Sequence, residues 1–105
     1  MRNLGVKIVM DEDKILRENK YTLDEIYHNI DELAKSAEMI KQDKFTYLAP
    51  KNEDMLSCMG IFILNRLTKK EWFTKNVKEW DWLENGNITL DLIKKSKEYG
   101  KGVWE

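Results

Sequence analysis

His28 is the single histidine of the chain. On a helix it would project with Asp24, Asp31 and Glu32, at the spacings of three and four residues where side chains of one helix face meet. An imidazole beside carboxylates can hold a divalent cation. Exposed carboxylates on a solvent-facing helix, however, have no outer partners to orient them, so the group reads as a solvated polar face. General-base chemistry has no better footing, because no Ser, Cys or Thr is placed by the sequence for His28 to activate. Cys58 is the only cysteine, which excludes an internal disulfide and a Cys-based zinc site within one chain. Its apolar surroundings point to a buried, unreactive thiol. Gly5, Gly60, Gly86, Gly100 and Gly102 are scattered and form no phosphate-cradling loop. The many carboxylates sit on expected helix exteriors, where nothing separates their pKa values for acid and base roles. No catalytic, metal or cofactor site is expected.

The segment Glu71-Trp72-Phe73-Thr74-Lys75-Asn76-Val77-Lys78-Glu79-Trp80-Asp81-Trp82-Leu83 holds three of the four tryptophans. Read as a helix, it places Trp72, Phe73, Asn76, Val77, Trp80 and Leu83 on one broad face, with Trp82 about 200° around from Trp80. Both cannot then point into one core. Trp82, with Trp104 near the C-terminus, is therefore the candidate aromatic anchor for a partner, since Trp is enriched among interface residues that carry binding energy. Lys75, Lys78 and Glu79 would ring it and set specificity more than affinity. The expected partner is another protein or a second copy of the chain.

The elements that must position these residues are marked by caps and periodicity. Val6-Lys7-Ile8-Val9-Met10 is β-branched enough for a strand, and the polar run Asp11 to Lys20 suits a turn or short helix. Thr22 and Glu25 have capping-box spacing, with Tyr21 and Ile26 as a staple. Leu23, Ile26, Tyr27, Ile30, Leu33, Ala34 and Ala37 then continue an amphipathic helix to about Ile40. Lys44 to Leu48 reads as a strand and Ala49 to Asp54 as a turn. Cys58 to Leu64, continuously apolar, reads as a covered second arm of a hairpin, the rival being a buried helix from Asp54 to Arg66. Thr68 with Glu71, stapled by Leu67 and Trp72, would open the tryptophan helix, ending at Asn85-Gly86-Asn87. Thr89, stapled by Ile88 and Ile93, would cap a last helix from Leu90 to Tyr99, ended by Gly100.

The expected fold is α+β in the order β-α-β-β-α-α, a three-stranded, mainly antiparallel sheet with the long helix and the tryptophan helix packed on it. A chain of 105 residues suits one domain, and 35% charged against 42% hydrophobic residues argues against disorder. The longest apolar run, Met59 to Leu64, is far below the ~20 residues of a membrane span, and no signal-peptide core is visible, so a cytoplasmic location is expected. Abundant Lys, Asn and Ile beside few Ala, Arg, Gly and Pro is what AT-rich codons produce, as in a low-GC bacterial or phage gene.

A net charge of -1 gives no global pull toward nucleic acid. The rival functional class is nonetheless a nucleic-acid-binding module, because a short helix at Glu12 to Glu18, a helix from Thr22 and a hairpin loosely resemble part of a winged helix. Its basic route would run through Arg66, Lys69, Lys70, Lys75 and Lys78, interleaved with aromatics. Against it, the helix from Leu23 to Ile40 carries Asp24, Glu25, Asp31, Glu32 and Glu38 against Lys35 alone, which would bring like charge toward phosphate.

Overall fold

Apolar residues at every second position of β1 (Leu4–Met10) put Leu4, Val6, Ile8 and Met10 on one side of a strand that lies at the centre of a five-stranded sheet. The computed structural model describes residues 3–50 and 54–98. Chain order continues as α1 (Glu12–Glu18), α2 (Leu23–Ser36), β2 (Ile40–Asp43), β3 (Thr46–Leu48), α3 (Met55–Gly60), α4 (Glu71–Thr74), β4 (Val77–Glu84), β5 (Asn87–Asp91) and α5 (Leu92–Glu98). The sheet order is β2-β3-β1-β4-β5 and every pairing is antiparallel. The fold is thus α+β, but the expected three-stranded sheet and the order β-α-β-β-α-α are both corrected.

Three differences account for the correction. First, α2 ends four residues early. Glu38 takes a left-handed conformation (φ 64°), Met39 N–H donates to the Ala34 carbonyl at 2.8 Å and Glu38 N–H to Lys35 at 3.0 Å. These are the paired bonds of a Schellman stop, here without the glycine that usually announces it. The chain reverses there and Ile40 begins β2, giving a hairpin with β3 where one strand was expected. The start of α2 is as read: Thr22 Oγ1 accepts from Glu25 N–H at 3.1 Å, and Glu25 reaches back to Thr22 N–H at 3.3 Å.

Second, the apolar run expected as a strand is helical. Its buried residues Cys58, Met59, Phe62, Ile63, Leu67 and Thr68 advance by four and then by five. After α3 the chain widens into π-helix over Ile61–Arg66 and tightens into 3-10 helix over Leu67–Lys69. A π turn, with i to i+5 bonding, keeps residues five apart on one side, so the stripe stays on the core. The Thr68–Glu71 capping box does not form, since Thr68 Oγ1 donates instead to the Leu64 carbonyl at 2.8 Å.

Third, the expected tryptophan helix survives only as the single turn α4, and residues from Val77 form β4, paired along the whole of β1. Asn85 (φ 53°) and Gly86 (φ 82°) both have positive φ between the paired Glu84 and Asn87, the backbone that joins two antiparallel strands in a two-residue hairpin. The expected helix stop is therefore a strand turn. β5 occupies the residues read as the start of the last helix, and Asp91 rather than Thr89 caps α5, accepting from Lys94 N–H at 3.1 Å. Tyr99 and Gly100 lie outside the described residues.

The helices cover one side of the sheet. Leu4, Val6, Ile8, Met10, Tyr47 and Trp80 form a continuous core with Ile15, Ile26, Ile30, Ala34, Met59, Phe62, Ile63, Leu67, Phe73 and Leu92. Phe73 meets Trp80 edge to face at 5.0 Å, and Phe62 meets Tyr47 at 5.5 Å, both attractive aromatic geometries. Two phenols clamp α2 in place. Tyr27 donates to Glu12 Oε2 of α1 at 2.6 Å, and Tyr47 of β3 donates to Asp31 of α2, which also binds Lys41 at 3.1 Å. No helix among the described residues is long and apolar enough to cross a membrane.

Candidate functional site

Register decides what the opposite side of the sheet presents, because residues directly opposed in an antiparallel pair point the same way. Ile40 opposes Leu48, Leu48 opposes Gly5, Gly5 opposes Leu83, and Leu83 opposes Ile88. The result is one aliphatic row across all five strands. It is separate from the helical core: Leu83 is 8% exposed yet is not part of the core cluster. Ile40 and Ile88, at the two edges, are each 56% exposed. Leu48 leans over Gly5, where a Cβ would stand 2.9 Å from its Cδ2 and 2.8 Å from the Tyr47 carbonyl oxygen. A hollow of about 340 Å³ lies beside them, lined by Asn3, Gln42, Thr46, Leu48, Leu83, Asn85 and Gly86.

The next row on the same side is charged. Thr46 opposes Lys7, Lys7 opposes Asp81, and Asp81 opposes Asp91, while Asp43 lies opposite Thr46 from the outer strand. Glu79, opposite Val9, follows. Asp43 accepts from Phe45 N–H at 3.0 Å and Asp91 caps α5, so both have local structural duties. Asp81 is 9% exposed. Burial is the main cause pushing its carboxyl above the ordinary range, with Asp91 and Glu79 adding to the shift and Lys7 opposing it.

Of the residues expected to form a partner site, the four that are described do not all lie on one side of the sheet. Trp82 opposes Val6 and lies on the helical side, half-buried against the core, whereas Glu79 opposes Val9 on the open side. The helical geometry that separated Trp82 from Trp80 no longer applies, because two residues apart on a strand means the same face. Lys75 follows α4 and is paired with Glu71 at 2.8 Å; its carbonyl accepts from Lys14 Nζ. Lys78 is the extra residue at the irregularity where Val9 opposes Glu79 and Met10 opposes Val77, and it is exposed. Trp104 lies outside the described residues.

Other chemical candidates are occupied by structure. His28 is exposed on α2 with Nε2 3.9 Å from Glu32, and among the described residues no group of three or more His, Cys, Asp and Glu is arranged to hold a metal. Cys58 is buried, and burial first, then Glu38 and Asp54, push its thiol pKa up, away from the reactive thiolate. Burial likewise raises Tyr27 and Tyr47, and donation to Glu12 and Asp31 adds to it, so these phenols act as hydrogen-bond clamps. Arg66, at the head of the expected basic route, donates through Nε to Ser36 Oγ at 2.9 Å.

In the sequence, Leu48, Leu83, Ile88 and Ile40 fall in expected strands or at helix ends and carry no mark of a shared surface. The available signal was period two: Trp80 and Trp82 flank Asp81, and Asn-Gly at 85 and 86 marks a hairpin between alternating segments. No known protein family and no curated protein matches this chain.

Proposed function

We propose that this protein is a non-catalytic binding domain that takes a partner protein on the open side of its sheet. The observation that carries the reading is the aliphatic row Ile40, Leu48, Leu83 and Ile88, which crosses five strands on the side opposite the helices. Single exposed aliphatics need no explanation, but a contiguous apolar strip rimmed by polar groups is the anatomy of an interaction surface. Sheets with one solvated side ordinarily alternate apolar inward and polar outward. Here two short edge strands place an isoleucine outward in otherwise polar segments, Ile40-Lys41-Gln42-Asp43 and Asn87-Ile88-Thr89. Glu79, one of the residues expected in a partner site, belongs to this side. Its acidity disfavours nucleic acid as the occupant, since carboxylates would face phosphates.

The test is a photoreactive amino acid placed singly at Ile40, Ile88 and, as control, at Leu16, which is 63% exposed on α1. Expressed in the native host, the two sheet positions should give the same discrete crosslinked species and the Leu16 position should not. Equal crosslinking from all three, or none from the sheet positions, contradicts the proposal.

A further inference from the structure

The partner's chemistry follows from the row beside the aliphatic one. Resting on the reading of the open sheet side as the partner surface, we propose that the partner delivers an arginine or lysine side chain to Asp81 and Asp91 while its apolar side chains cover Ile88 and Leu48 on either side of Leu83. Asp81 is nine-tenths buried, yet among the described residues it makes no hydrogen bond or ion pair. Its surroundings are unfavourable to a negative charge: Asp91 stands directly opposite and Glu79 lies two residues back on the same side. Lys7, opposite Asp81 on β1, is the one positive charge in these rows, against Asp43, Glu79, Asp81 and Asp91. The surface is complementary to a cation and repels its own copy wherever these rows would meet.

Geometry narrows the cation further. Opposed side chains on neighbouring strands have Cβ atoms about 5 Å apart, so one guanidinium, with its fork of donors, can reach both Asp81 and Asp91. Along β4, Asp81 and Leu83 are two residues apart, roughly 6.5 Å. An extended segment with an apolar residue and a basic residue at i and i+2 would place both on the surface together. The acidic cluster alone would describe only a solvated surface; its place beside the aliphatic row, with four carboxylates against the single Lys7, is what fits a segment both apolar and basic.

The experiment is methyl and amide NMR of the full chain titrated with short blocked peptides of repeating pattern Leu-Thr-Arg-Thr, with Gln or Glu replacing Arg in the controls. The Arg peptide should shift the Leu48 and Leu83 methyls and the Asp81 and Asp91 amides, and should bind about tenfold tighter than the Gln peptide, the size of a charge-assisted contact. Asp81→Asn should remove that advantage, and Glu79→Gln, at an exposed position, should reduce it. If the Gln or Glu peptide binds the same methyls as tightly, the basic partner is overturned while the open-side reading stands. If no peptide perturbs these residues, or if the free protein shows contacts from Trp104 to the Leu83 and Ile88 methyls, both fall. A wild-type dimer by light scattering that protects the same methyls assigns the surface to a second copy and overturns the basic partner.

Discussion

Gly60→Ala should stabilise the protein. Gly60 has φ -62° and ψ -44°, ordinary right-handed helical values, and an added Cβ would meet nothing within 4 Å. The substitution therefore introduces no strain or clash, while it removes conformational freedom from the unfolded chain. Glycine inside a helix costs roughly 0.5–1 kcal/mol relative to alanine, and for a domain of this size 1 kcal/mol moves the melting midpoint by roughly 4–8 °C. The expected rise is thus on the order of 2–8 °C in a thermal melt followed by circular dichroism. Gly5→Ala is the contrast, because its Cβ would press on the Tyr47 carbonyl and Leu48; overpacking of this kind costs ~1–3 kcal/mol. An unchanged or lower midpoint for Gly60→Ala would refute the reasoning. It would mean either that residues 55–69 are not helical or that their outer side is covered.

Asp81→Asn should also raise the midpoint at neutral pH. An acid whose folded pKa lies above its unfolded value loses stability as pH rises through the folded pKa, so the wild type carries a penalty above that point and none below the ordinary Asp value near 3.9. The difference between variant and wild type in melts across pH should shrink to nothing in acid; a constant difference would contradict the assignment. Trp80→Ala, at a fully buried residue, should cost ~3–5 kcal/mol in urea denaturation, and Trp82→Ala less, because part of its indole is in water. Thr22→Ala should lose ~0.5–2 kcal/mol with its cap, measured the same way.

What could be read from the sequence was local and cap-driven. Thr22 and Glu25 set the start of α2 by bonds between residues three apart, and β1 followed from its own β-branched enrichment. Residues 72–84 misled because aromatics are dense enough there to draw a helical stripe, whereas the pairing of Trp80 with Ile8 and Trp82 with Val6 is a long-range event. The end of α2 was hidden because Glu38 adopts the conformation usually reserved for glycine. The helix of residues 55–69 was obscured by a π turn that spaces its buried residues by five. The open side of the sheet could not be seen at all, since it exists only once β2 and β5 bring Ile40 and Ile88 into register with Leu48 and Leu83. The same holds for Asp81: its burial and its acidic neighbours are consequences of that register.

The central claim is that the helices cover one side of the sheet and leave an aliphatic row on the other. Methyl-resolved solvent paramagnetic relaxation with a soluble gadolinium chelate tests it directly on the free protein. Ile40 and Ile88 methyls should relax strongly, and Ile8, Ile26 and Ile30 should stay protected. Equal protection of Ile40 and Ile88 with the core isoleucines would contradict the account.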